Sequence, residues 1–120
     1  MKPELMDGEY VFCTINKVDP QVMDLDALCR FREKEGITII LNREIADDNK
    51  LPYNGVWSLI TCTVHSDLNS IGFVAAISKK LAQAAISVNV VSAYYHDHLF
   101  VPVKDASRAL KVLNDLSGAM

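Results

Sequence analysis

The chain has 120 residues, half of them hydrophobic, and a formal net charge of −3. That length suits one domain, or two small units sharing a core, and the apolar content excludes wholesale disorder. Basic residues are outnumbered and cluster only at Lys79-Lys80, so no nucleic-acid footprint is present and no nucleic-acid partner is expected.

Three cysteines, Cys13, Cys29 and Cys62, are widely spaced without a CxxC pair. An odd count with no apolar leader in Met1-Lys2-Pro3-Glu4-Leu5 points to reduced, buried thiols in a cytoplasmic protein. No apolar run approaches the length that spans a bilayer, so no membrane association is expected.

Asp7-Gly8 is a turn signal, and Tyr10 to Ile15 is rich in β-branched and aromatic residues, which predicts a strand ended by Asp19-Pro20. Leu25, Leu28 and Cys29 have helical spacing, with Asp24 or Asp26 as cap. This predicts a short helix running into the charged Arg30 to Glu35 and stopped by Gly36. Ile37 to Leu41 is a nearly continuous apolar strand. Glu44 to Lys50 fits one helical turn, and Leu51 to Gly55 is the clearest break.

Beyond it, Trp57, Leu59, Thr61, Thr63 and His65 alternate with Ser58, Ile60, Cys62 and Val64 along a strand. A helix is expected to begin near Ser66 or Asp67, both good N-caps. Its expected buried stripe is Ile71, Ala75, Ser78, Ala82 and Ala85, flanked by Val74 and Leu81. Strands follow at Ile86 to Val91 and His98 to Val103, close enough to pair as a hairpin. Asp105 can cap a last helix that buries Ala106, Ala109, Leu110, Leu113 and Leu116 and stops at Gly118.

The order is βαβ, then βαββα: an α+β protein of two interlocked βαβ-type units, divided at 1–54 and 55–120 and sharing strands. A split βαβ sandwich of the ferredoxin-like kind needs one more strand than the second half supplies. That strand must come from upstream or from a partner chain.

The second half resembles ACT domains, small amino-acid-sensing modules. The resemblance rests on Val64-His65-Ser66, a helix with Gly72 in its first turns, Ala85 to Ser92, and Tyr95 to Pro102. With Gly8 to Thr14 and Phe31 to Gly36 added, the chain is similar to small bacterial tandem-ACT proteins of the arginine-sensor-like (CASTOR-type) subclass. The resemblance implies a ferredoxin-like fold and a small-molecule ligand, often an amino acid, held between two ACT units. Carried over, the contact positions are Val64, His65, Ser66, Ile71 and Gly72, facing Asn89, Val90 and Val91. Asp97 takes the place of an acidic residue of the arginine-sensing members. A homodimer or higher homo-oligomer, an unidentified regulated protein and no cofactor are implied.

The residues support this reading in part. A helix N-terminus carries unpaired N–H groups and partial positive charge, so it attracts a carboxylate. Gly72 would let a ligand approach, or merely permit helix–sheet packing. Asn89 is polar inside an apolar strand and, if buried, must find a ligand or a loop to bond. Asp97 suits a ligand ammonium or a turn. His96 and His98 share a face of an extended segment and with His65 could make a three-His metal site, though H-x-H alone is a weak signal. Motifs for phosphate loops, dinucleotides and serine nucleophiles are absent. The expectation is a non-catalytic sensor with no metal. The alternatives are an interaction module with a degenerate pocket, and a small His-dependent metal enzyme.

Overall fold

A computed structural model describes residues 1–16, 20–63 and 71–119. The elements are β1 (Lys2–Leu5), β2 (Tyr10–Ile15), α1 (Pro20–Met23), β3 (Cys29–Arg32), β4 (Ile37–Asn42), α2 (Arg43–Asp48), β5 (Trp57–Thr63), α3 (Phe73–Gln83), β6 (Asn89–Ser92), β7 (His96–Pro102) and α4 (Ala106–Ala119). A 3₁₀ turn, Val103–Asp105, leads into α4. They form two compact units: Met1–Asp7 with Trp57–Met120, and Gly8–Val56.

In the Gly8–Val56 unit, β4 pairs antiparallel with β2 on one side and β3 on the other. Val11, Cys13, Ile39, Leu41 and Ala46 form its core. The register places Val11 opposite Leu41 and Cys13 opposite Ile39, so one face of the pleat is continuously apolar. Asn42 caps α2 by accepting from the Glu44 N–H at 2.8 Å.

The helix expected around Leu25 to Cys29 is a strand at its end: β3 starts at Cys29, and among the described residues there the one turn of helix is α1. Three apolar positions cannot hold a helix that has no further buried face. Arg30-Phe31-Arg32 instead alternates along an edge strand, where charge is tolerated. Gly36 closes this hairpin, with the Glu33 N–H donating to its carbonyl at 2.8 Å. A Cβ at Gly36 would sit 2.8 Å from the Ile15 carbonyl oxygen, so the close approach of β2 demands glycine.

The other unit has the sheet order β1-β5-β7-β6, every neighbour antiparallel. β1 is the strand that the second half lacks: Lys2 to Leu5 pair with Thr63 to Ile60 of β5. The α4 residue Ser117 donates its hydroxyl to the Met1 carbonyl, tying that strand to the last helix. The βαββα run completed by β1 is ferredoxin-like. Its core is Ile60, Cys62, Ile77, Leu81, Ile86, Leu99, Val101, Ala109 and Leu113.

Four expectations are corrected here. The α3 helix starts at Phe73, and Gly72 is its N-cap with φ +87°, so Gly72 precedes the first turn instead of lying within it. The buried α3 positions are Ile77 and Leu81, with Phe73 and Ala84 packed beside them, while Ala75, Ala82 and Ala85 are exposed. Large side chains four apart bury more apolar area than the alanine stripe, and that decides the rotation of the helix. The hairpin strands start later and earlier than expected, at Asn89 and His96. Finally, α4 continues through Gly118 to Ala119. Its buried face is otherwise as expected, with Ala106, Ala109 and Leu113 inaccessible to solvent or nearly so.

Candidate functional site

The β5 and β6 strands both run antiparallel to β7, so they are parallel to each other. The helix joining them, α3, therefore runs back along the sheet, and its N-terminus lies at the end where β5 finishes and β7 begins. Two exposed tyrosines, Tyr94 and Tyr95, form the hairpin tip at that same end, their rings edge-to-face at 4.9 Å. The Ala93 N–H donates to the His96 carbonyl at 3.0 Å and closes the turn.

At this end α3 opens without a side-chain cap, and its first turn carries no acidic residue. The Gly72 carbonyl accepts the Ala76 N–H at 2.9 Å. A Cβ on Gly72 would meet no described atom within 4 Å. Helix–sheet packing is thus not the reason for glycine here. The left-handed φ is one, since a side chain in that region costs about 1 kcal/mol or more. Ile71, beside it, is 99% exposed.

The expected contact residues divide as follows. Val64, His65 and Ser66 lie outside the described residues, as does Asp67. Asn89 and Val91 lie on the face of the sheet that β7 shares through Phe100 and His98. Val90 and Asp97 lie on the other face, with Leu99 and Cys62 respectively as register partners. Asn89 is exposed, so no buried amide demands a partner there. Asp97 is half-buried and near enough to Cys62 to push that thiol further up, after burial, to about 11.

His96 and His98 share one face of β7, their ring centroids 6.1 Å apart. His98 Nδ1 lies 3.0 Å from Thr61 Oγ1 on β5, a pairing that the sequence reading did not pick out. Burial, with the neighbouring His96 second, holds the His98 imidazole below its ordinary pKa, against an upward pull from Asp97. His65 is outside the described residues, and among the described residues no group of three or more His, Cys, Asp or Glu side chains could hold a metal.

Among the described residues, clefts also lie away from these positions. One of about 350 Å³ in the Gly8–Val56 unit is lined by Tyr10, Asp26, Leu28, Asn42, Glu44 and Ile45. Another of similar size runs between α3 and α4, lined by Lys80, Gln83, Ala84, Val112, Asp115 and Leu116. Neither contains an expected contact residue. Sequence spacing could not have found them, because each is assembled from elements distant along the chain. No helix among the described residues is long and apolar enough to cross a membrane.

Family models decide the kinship. One ACT-domain model matches residues 1–58 and a second matches residues 56–115. The chain belongs to the ACT-domain family. Among solved structures, this tandem ACT protein is similar to a Vibrio cholerae protein of unknown function, described as a possible transport protein. They share 45% identity and a TM-score of 0.86, over 94% of this chain and 87% of that one. The Agrobacterium tumefaciens protein Atu0741 matches with a TM-score of 0.77 at 19% identity, over 94% of this chain and 86% of that one. The ligand-free regulatory subunit of aspartate kinase from Thermus thermophilus shares the fold, with a TM-score of 0.65 at 8% identity and coverage of 94% and 95%. No curated protein matches the chain. ACT domains are regulatory modules, and the tandem points to a ligand-binding regulatory role for this protein.

Proposed function

We propose that this tandem ACT protein is a non-catalytic cytoplasmic sensor of the arginine-sensor-like subclass, which binds a free amino acid and passes the signal to a partner protein. The observation that carries the reading is the uncapped N-terminus of α3 behind Gly72, where a Cβ would meet no described atom within 4 Å. Such an end supplies backbone N–H donors and partial positive charge to a carboxylate. Asp97 lies at the start of β7, at the same end of the sheet, and offers the opposite charge to an ammonium. A zwitterion fits that pair of charges better than a simple anion does. The ligand's remaining contacts come from Val64, His65, Ser66 and Ile71, facing Asn89, Val90 and Val91 on the neighbouring strand, at the interface of a homodimer. Coupling then requires the ligand to bind two states of that interface unequally.

One observation favours a second reading, an interaction module. The outer strand β6, Asn-Val-Val-Ser, carries neither charge nor proline, the usual guards against strand addition.

Thermal shift against the twenty amino acids separates the two. A ligand at ~100 times its Kd adds ~2.7 kcal/mol, or several degrees in Tm for a chain of this size. Gly72→Asn is the control, because asparagine tolerates the left-handed backbone while filling the open space. The expected outcome is one selective amino acid whose shift disappears in Gly72→Asn with the unliganded Tm little changed. Normal binding by that variant would sink the assignment of the loop. No response to any amino acid, with self-association retained, would favour the interaction module.

A further inference from the structure

Two imidazoles on one strand face present a chemistry that the amino-acid reading does not use. His96 Nδ1 is buried and has no hydrogen-bond partner among the described residues. An orphaned buried nitrogen is uncommon in folded proteins and often marks an ion or water site. His98 is tethered through Nδ1 to Thr61 Oγ1 at 3.0 Å. Metal-binding histidines show this arrangement: when the His98 Nδ1–H donates to the Thr61 hydroxyl, the Nε2 lone pair is left for the metal. The register places Thr61 opposite His98 and Thr63 opposite His96, so β5 supplies hydroxyls beside both rings.

The spacing suits a shared ion. With a Zn–N bond of about 2.0–2.1 Å and a tetrahedral angle at the metal, two ligating rings have centroids roughly 5.2 Å apart. The observed 6.1 Å exceeds that by about 1 Å, a difference that rotation of the two side chains closes. We propose that His96 and His98, oriented by Thr61, bind one divalent transition-metal ion on the face of β7 opposite Leu99 and Val101. Imidazole nitrogens select zinc, nickel, copper or cobalt over magnesium and calcium, which prefer oxygen. With two protein ligands, the remaining coordination positions go to water or to an exogenous donor. Asp97, between the two histidines in sequence, alternates to the other face and is not a ligand.

The site is tested on the full chain, stripped with chelator and titrated with zinc chloride at pH 7. One ion per chain is expected. His96→Gln and His98→Gln should each weaken binding at least tenfold. Thr61→Val keeps the side-chain shape and should weaken it roughly tenfold through loss of orientation alone. Zinc should also shift the imaging-independent signals of the wild-type rings, the imidazole ¹⁵N resonances of His96 and His98, a readout that survives if a variant fails to fold. Absence of stoichiometric binding, unchanged affinity in folded His96→Gln or His98→Gln, or unmoved His96 and His98 resonances would each overturn the proposal.

Discussion

Cys62 sits in the centre of the core around β5, with no exposed surface, opposite Asp97 in the β5–β7 register. Burial, and secondarily the Asp97 carboxylate, push its thiol up to about 11 from an ordinary 9.0, against a smaller opposing pull from the Met1 ammonium. The consequence is alkaline instability. Below pH 9 both folded and unfolded chains hold the proton. Above it the unfolded chain releases the proton, while the folded chain keeps it until about pH 11. Stability is therefore lost as pH rises from 9 to about 11, by about 2–3 kcal/mol from this group. Cys13, raised by burial as well, adds in the same direction. Urea melts at pH 8 and pH 10.5 should show this drop in the wild type and a smaller one in Cys62→Ala. An equal drop in both would assign the effect to other groups. Of the three thiols that the sequence marks as buried, Cys13 and Cys62 are buried, whereas Cys29 on the edge strand β3 is only half-buried. The Asp97 contribution was not legible, because it depends on a strand register that places residues 62 and 97 side by side.

Elements were legible where periodicity was strong and flanking chemistry agreed with it. The α4 helix buries Ala106, Ala109 and Leu113 with Leu110 and Leu116 beside them, the set its sequence spacing gives. On α3 two stripes competed, and the one with larger side chains won. Ile77 and Leu81 have no exposed surface, whereas Ala75 and Ala82 are exposed. Ile77→Ala should cost 2–5 kcal/mol, the usual range for an aliphatic truncation in a closed core. Ala82→Glu should stay within about 0.5 kcal/mol, as exposed helix substitutions do. Chemical denaturation of the pair checks the rotation of the helix. A large loss in Ala82→Glu with a small one in Ile77→Ala would mean that the helix packs by its alanine face. The β3 strand failed in the sequence for the opposite reason. Its helical signal was three residues long, and an edge strand with Arg30 and Arg32 shows little apolar alternation to set against it.

At the scale of the molecule, the chain order and the fold order differ. The family models divide the chain near residue 57, whereas the compact units place Met1–Asp7 with Trp57–Met120. The need for an extra strand was legible by counting elements against the ferredoxin-like pattern. Its location in residues 2–5 was not, since Lys-Pro-Glu-Leu has no strand signature of its own and is a strand only through its pairing with Ile60 to Thr63 of β5. The Ser117–Met1 contact shows that the end of α4 lies beside the start of β1. A rearranged chain running from Trp57 to Met120, then through a short flexible linker into Met1 to Asp7, therefore carries all six elements of one ACT unit in continuous order. This permuted unit should fold with a cooperative thermal transition, because the linker closes a short gap and loop closure costs little. The segment 57–120 without β1 leaves the inner edge of β5 unpaired and should show no cooperative melt or should aggregate through that edge. Circular dichroism melts of the two chains decide the matter. Equal cooperativity in both would show that β1 is dispensable to this unit and that its pairing with β5 is an accessory contact.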